Sequence, residues 1–247
     1  MRFDVITLFP EMIIQALCFG VTGRAIERQL VSVKTWNPRQ FTDDPHQSVD
    51  DRPYGGGPGM VMMIKPLLQA MVAVKAGHEG TVKTVFLSPQ GRKVDQQLIN
   101  QATLDDRLIL IAGRYEGVDQ RFIDQEVDEE WSIGDYVISG GELAVLVVID
   151  AITRLLPGVL GDAESAAQDS YMNGLLDCPH YTRPDNFQGQ LVPAILTSGN
   201  HPAIAQWRLK QSLGWTWLKR PDLLKRLDLT TEQQQLLEDF KIERSKR

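Results

Sequence analysis

The sequence predicts an α/β fold: a mostly parallel sheet covered by helices on both faces, followed by a small helical C-terminal part. Three observations predict it. Apolar runs of strand length alternate with amphipathic helical stretches over the first 160 or so residues. Two of those runs empty into glycine turns, as strands do at the ligand edge of an open parallel sheet. The last part of the chain is helix-patterned, and its charge is opposite to the rest.

Phe3–Leu8 is the first apolar strand, and Pro10 stands where a first-turn proline belongs, ahead of a helix over Glu11–Phe19. Leu30–Trp36 is the second strand. The stretch Asn37–Met60, polar and then glycine-rich (YGGGPGM), reads as a long loop, and long loops inside compact domains tend to be functional or disordered. A helix over Lys65–Ala76, a strand over Thr81–Leu87 and a helix over Asp95–Ala102 follow. The strand Leu108–Ala112 then leads into Gly113-Arg114-Tyr115-Glu116-Gly117, and Asp119–Glu126 is the next helix. The apolar run Trp131–Ser139, broken by Gly134-Asp135, ends in Gly140-Gly141, with the strand placed at Tyr136–Ser139 and a helix after it over Glu142–Leu156.

These elements give three parts: residues 1–160 as the α/β domain, 161–175 as a linker, and 176–247 as a helical domain. The linker lies in a small, polar, acidic stretch, Pro157–Leu175. The helical domain holds Pro202–Gly214, Pro221–Leu227 and Thr231–Glu243, the last capped by Thr230 or Thr231.

With 43% hydrophobic and 23% charged residues, the composition is that of a soluble globular protein. Two cysteines, Cys18 and Cys178, offer no disulfide framework and suit a reducing compartment, so a cytoplasmic protein is expected. The N-terminal apolar run is too short for a signal peptide, and Leu143–Ile149 stops at Asp150, so no membrane span is expected. The histidines His46, His78, His180 and His201 show no metal-ligand spacing; Cys178-Pro-His180 comes nearest. A P-loop, a GxGxxG after the first strand and a Gly-x-Ser-x-Gly elbow are all missing, which argues against nucleotide-triphosphatase, dinucleotide and hydrolase chemistry.

The net charge of −6 conceals a split: residues 1–175 carry −9 and residues 176–247 carry +3. One reading is a C-terminal part that holds a polyanion while the N-terminal part does chemistry; the other is a slightly basic helical tail without a partner. The glycine turns also admit two readings, since glycine can simply end a strand. Two turns side by side, with Tyr115, Glu116, Asp135 and Tyr136 among them, favour a cleft lined by backbone groups.

The motifs PYGGGPGM (53–60), LSPQGR (87–92), GRYEGVD (113–119), EEWSIGDYV (129–137), SGGEL (139–143) and LLDCPHYTRP (175–184) together resemble the bacterial tRNA (guanine-N1)-methyltransferases, the TrmD family of the SPOUT superfamily. The resemblance runs from the first strand to the C-terminal helices. It implies a deep trefoil knot in the sheet domain, an exception to the unknotted rule. It implies S-adenosylmethionine held by Leu87, Ser88, Pro89 and Gly91, by Gly113, Tyr115 and Glu116, and by Ile133, Gly134, Asp135, Tyr136, Val137, Ile138, Gly140 and Gly141. Of these, Leu87, Ile133, Tyr136 and Ile138 suit an apolar adenine slot. The family commonly has a proline after Gly-Gly-Glu-Leu, where this chain has Ala144.

The resemblance further implies that Asp169 is the base and Arg154 the cation for methyl transfer to guanine N1. The substrate would be a tRNA with guanosine immediately 3′ of the anticodon and another guanosine before it. Glu116 and Asp169, both hard oxygen donors, would take Mg²⁺. The C-terminal cations Arg208, Lys210, Lys219, Arg220, Lys225 and Arg226 would grip the anticodon stem, and a homodimer would build each site from both chains. On residues alone Arg154 better suits an ion pair with Asp150 four positions earlier, Asp169 a solvated loop carboxylate, and at least two of Trp207, Trp215 and Trp217 helix packing rather than base stacking.

Overall fold

The computed structural model describes residues 1–76, 82–161 and 163–246, so the expectations touching His78, Thr81 and Asp162 lie outside the described residues. The chain divides into two compact units, Met1–Ala163 and Glu164–Arg247.

The first unit is an all-parallel five-stranded sheet in the order β2-β1-β6-β5-β7. The strands are β1 (Arg2–Ile6), β2 (Ser32–Trp36), β5 (Lys83–Lys93), β6 (Arg107–Ala112) and β7 (Glu129–Ser132); a two-residue pair, β3 (Asp50–Asp51) and β4 (Val61–Met62), lies outside it. Its helices are α1 (Pro10–Ala16), α2 (Gly20–Glu27), α3 (Ile64–Lys75), α4 (Gln96–Ala102), α5 (Gln120–Glu126) and α6 (Glu142–Thr153). Side chains alternate across a strand, and the core follows that rule. Phe3, Val5, Leu108, Leu110 and Ala112 face a core with Ile13, Leu98, Val145, Val148 and Ile149, on the side of α1, α4 and α6. Ile6, Ile109 and Ile111 face a second core with Leu67, Met71, Val74 and Phe122, on the side of α3 and α5. All six residues of β6 are buried, as a strand covered on both faces requires.

One buried charge cluster interrupts the second core. Asp4, fully buried, accepts from Arg107 Nε at 2.7 Å, from Arg2 and from the Trp36 indole at 2.8 Å. Arg107 also donates to the Val74 carbonyl at 2.6 Å. Burial pushes the Asp4 carboxyl up, but the three donors together outweigh it and hold it below its ordinary 3.8.

Two expectations need correction. The strand placed at Tyr136–Ser139 is instead β7, at Glu129–Ser132. Trp131 is fully buried and pairs with both Leu87 and Arg92, whereas Tyr136 and Val137 are exposed beyond the Gly134-Asp135 break. The helix expected over Glu11–Phe19 ends at Ala16, and a second helix, α2, follows it. Gly23 lets that helix lie against the Cys18 carbonyl, where a Cβ would sit 2.5 Å from the oxygen. The long 37–60 loop holds a 3-10 turn, Pro38–Phe41, and one strand of the β3–β4 pair.

The second unit is helical, with α8 (His201–Lys219), α9 (Pro221–Leu224) and α10 (Thr231–Ser245) around Leu175, Leu213, Leu236 and Leu237. A short α7 (Ala163–Ala167) stands at its start, and a small hairpin, β8 (Asn186–Phe187) with β9 (Gln190–Leu191), precedes α8. Thr230 caps α10 in a capping box with Gln233. No helix among the described residues is long and apolar enough to cross a membrane.

Candidate active site

The carboxyl ends of β5, β6 and β7 open onto one cleft of about 240 Å³. β5 sets the first wall. It pairs with β7 up to Leu87, leaves register, and pairs with it again from Arg92, so Ser88–Gly91 stands out at the sheet end. Gly91 lies on the β7 backbone, where a Cβ would fall 2.3 Å from the Glu130 carbonyl carbon. β6 ends in Gly113–Gly117, the second wall. Tyr115 there has a left-handed backbone (φ 61°), a conformation that costs a non-glycine residue roughly 1 kcal/mol or more. The Met60 carbonyl accepts from Glu116 N at 2.9 Å, and Met62 N donates to the Gly117 carbonyl at 2.9 Å. The glycine-rich loop is therefore docked on this turn, with Gly59 close against the Glu116 carboxylate. Burial and the neighbouring Asp50 carboxylate raise the Tyr115 hydroxyl above its ordinary value.

The third wall is the loop between β7 and α6. Ser132 Oγ bonds both the carbonyl and the N–H of Gly134 at its base. At its end Gly141 N donates to the Gly113 carbonyl at 2.8 Å. A Cβ on Gly141 would sit 2.7 Å from Ala112 Cα, so only glycine lets the two turns meet. Glu142, the first residue of α6 and fully buried, ties them again: it accepts from Thr7 Oγ1 and from Arg114 Nε, each at 2.8 Å.

Every residue expected in the cofactor loops lines this cleft except Gly91 and Asp135. Asp135 turns outward, is 85% exposed and pairs with Lys93 at 2.6 Å. Ala144, where a proline was expected, is buried in the first turn of α6 and lines the cleft floor. Apolar side chains (Leu87, Ile133, Ile138, Ala144) and glycine backbones line the cleft together, which suits a flat purine ring. Sequence reasoning passed over Glu142 and Thr7; an acid and a hydroxyl in otherwise apolar stretches beside the glycine turns were the available signal.

Arg154 caps the C-terminus of α6, its N–H bonded to the Asp150 carbonyl at 3.1 Å, and is partly buried. Asp150 itself accepts from Thr22 at 3.0 Å. Asp169 belongs to the second unit, where it lines a cavity of about 510 Å³ with Asn173, Asp177, Cys178, His180, Arg208 and Ser212. The segment carrying it is pinned: the Ser170 hydroxyl accepts from Asp177 N, and Thr216 Oγ1 on α8 from Leu176 N, each at 2.9 Å. His180 Nε2 and Asp177 Oδ2 are 2.7 Å apart. Burial pushes Asp177 up, but His180 and the Cys178 N–H outweigh it and hold the carboxyl below its usual range. Burial beside Asp177 raises the Cys178 thiol.

Asp177, Cys178 and His180 also form the group of three converging metal-competent atoms found among the described residues, within 4.8 Å of one another. That mixed O, S, N set does not suit magnesium. Neither Glu116 nor Asp169 belongs to such a group.

A parallel sheet with a glycine-lined cleft at its carboxyl edge defines an α/β protein that binds a small ligand at its strand ends. A family model described as tRNA (Guanine-1)-methyltransferase TrmD matches residues 1–226, and the chain belongs to that family. It is 61% identical over 243 residues to the tRNA (guanine-N(1)-)-methyltransferase of Methylococcus capsulatus, covering 98% of this chain and 97% of the relative. It is 58% identical over 240 residues to the protein of that name in Vibrio campbellii, covering 97% of each. The protein of that name in Photobacterium profundum is 59% identical over 240 residues, covering 97% of this chain and 96% of the relative.

Proposed function

We propose that this chain transfers the methyl group of S-adenosylmethionine to N1 of the guanosine immediately 3′ of the anticodon, tRNA position 37, in tRNAs with a preceding guanosine. The observation that carries the reading is the full-length likeness to tRNA (guanine-N(1)-)-methyltransferases, with a cleft of matching chemistry at the sheet edge. The domain scheme goes with it: a knotted SPOUT domain over 1–160, a linker over 161–175, and a tRNA-binding domain over 176–247. The protein would act in the cytoplasm as a homodimer, with Asp169 and Arg154 of one subunit serving the cofactor of its partner.

Bound S-adenosylmethionine supplies a methyl group on a sulfonium, an electrophile that needs no further activation. The chain's residues then have three tasks. Guanine N1 carries a proton at neutral pH, and Asp169 removes it. Loss of solvent around Asp169 as the site closes would strengthen it as a base. Negative charge grows on guanine O6, and the Arg154 guanidinium stabilises it. The glycine turns would hold the cofactor. Reaching N1 requires the base to leave its stack.

Phosphate contacts come from the helical unit. Lys210 and Arg220 are already paired, with Glu243 and Asp222, each at 2.7 Å. Arg208, Lys219, Lys225 and Arg226 are exposed and better placed to grip the anticodon stem. Trp207 packs against Tyr181, and Trp215 lies under Lys219, which favours helix packing for these two indoles. Magnesium on Glu116 and Asp169, which the resemblance and the donor chemistry imply, enters no step.

The test is methyl transfer from labelled S-adenosylmethionine to two unmodified tRNA transcripts, one with guanosine at position 37 and one with adenosine. Label on the first alone supports donor, reaction and target together. Label on neither, with cofactor bound and magnesium present, overturns the reading in favour of a non-catalytic RNA-binding relative.

A further inference from the structure

Among the described residues lining the cleft, the charged side chains are Arg114 and Glu116. Arg114 is only 19% exposed, its guanidinium lying over the Phe9 ring at 4.4 Å and donating to the Ser139 carbonyl at 3.2 Å. A cation held there, partly out of water, raises the energy of any positively charged ligand in the same cleft. Directly behind it is Glu142, fully buried and 2.8 Å from Arg114 Nε. Burying a carboxylate is costly unless it is paired and hydrogen-bonded. Glu142 meets both conditions through Arg114 and Thr7, and it stands at the α6 N-terminus, where the helix dipole also favours negative charge.

We propose that Glu142, acting through Arg114, sets the electrostatic balance between a sulfonium ligand and its neutral thioether counterpart in the cleft. The inference rests on the cleft being the S-adenosylmethionine site. S-adenosylmethionine and S-adenosylhomocysteine differ by one methyl group and one positive charge at sulfur, so their affinity ratio reads the field at the cleft. A purely structural Glu142, serving only to join the turns, would change both affinities alike.

The test measures the dissociation constants of both ligands by calorimetry on the full chain and four variants. In Glu142→Gln the Arg114 charge is uncompensated, and S-adenosylmethionine should weaken roughly fivefold more than S-adenosylhomocysteine. In Arg114→Met the Glu142 charge is uncompensated, and the ratio should move the opposite way. The double variant should return the ratio to within about twofold of the parent, and Arg114→Lys should leave it unchanged. If Glu142→Gln does not fold, the opposite sign in Arg114→Met still decides. Parallel changes for the two ligands in every folded variant overturn the proposal while leaving the cofactor reading intact. Failure of the parent chain to bind either ligand overturns both.

Discussion

The cleft of the first unit is walled by strand ends and closed by backbone hydrogen bonds, whereas the Asp169 cavity of the second lies between helix α8 and a loop segment tied down through side chains. In the cleft, the Gly113 carbonyl accepts from Gly141 N, the Met60 carbonyl from Glu116 N, and β6 behind them is wholly buried. In the cavity, the Ser170 and Thr216 hydroxyls hold the chain segment that carries Asp169, which is partly exposed. Rigid sheet ends suit a ligand that must be held in one pose. A tethered segment suits a group that meets a large substrate arriving from outside.

Asp169→Ala should have the largest effect. If the second unit supplies only chemistry, single-turnover methyl transfer should fall by about 10³-fold or more while cofactor affinity stays within about twofold. Equal loss of both would make Asp169 structural. A second test strikes the sheet that supports the cleft. Arg107→Met leaves Asp4 buried beside fewer donors and should cost about 3 kcal/mol in denaturant unfolding. The same pair sets a pH dependence. Asp4 is held below its ordinary value in the folded chain, so its contribution is present above about pH 4 and is lost as pH falls through the folded value. Asp4→Asn should therefore flatten the acid limb of the stability profile.

Gly141→Ala tests the wall itself. The new methyl would press on Ala112 Cα and Gly113 N, both backbone, so the turns must part by a few tenths of an ångström. Cofactor affinity should drop by roughly tenfold, in line with overpacking costs of about 1–3 kcal/mol, with tRNA retention on filters unchanged. The smallest effect sharpens the other side. Thr230→Ala removes the α10 cap and should destabilise the helical unit by about 1 kcal/mol, without moving the cofactor dissociation constant.

Periodicity located β6 well because burial on both faces leaves an uninterrupted apolar signature, and α3 because Leu67, Ala70, Met71 and Val74 form one buried stripe at helical spacing. It failed at β7, where Tyr136 and Val137 look strand-like but are exposed, and the true strand owes its place to Trp131 pairing across β5. It also missed α2, a helix that opens at a glycine and has no side-chain cap. The cleft was legible from its two glycine turns. The Thr7–Glu142 bond was not, because its partners are 135 residues apart and only the sheet order brings β1 beside β6. The roles given to Asp169 and Arg154 came from motif likeness alone, since neither residue carries a local signature of its task.

The excursion of β5 around Ser88–Gly91 has a practical consequence. Leu87 and Arg92 are both paired with Trp131, so ladder pairs bracket a four-residue window that is out of register with β7. In deuterium labelling, a peptide spanning that window would act as a built-in occupancy gauge. Its uptake would fall as the neighbouring cleft fills, reporting ligand capture without a modified substrate, a fluorophore or turnover.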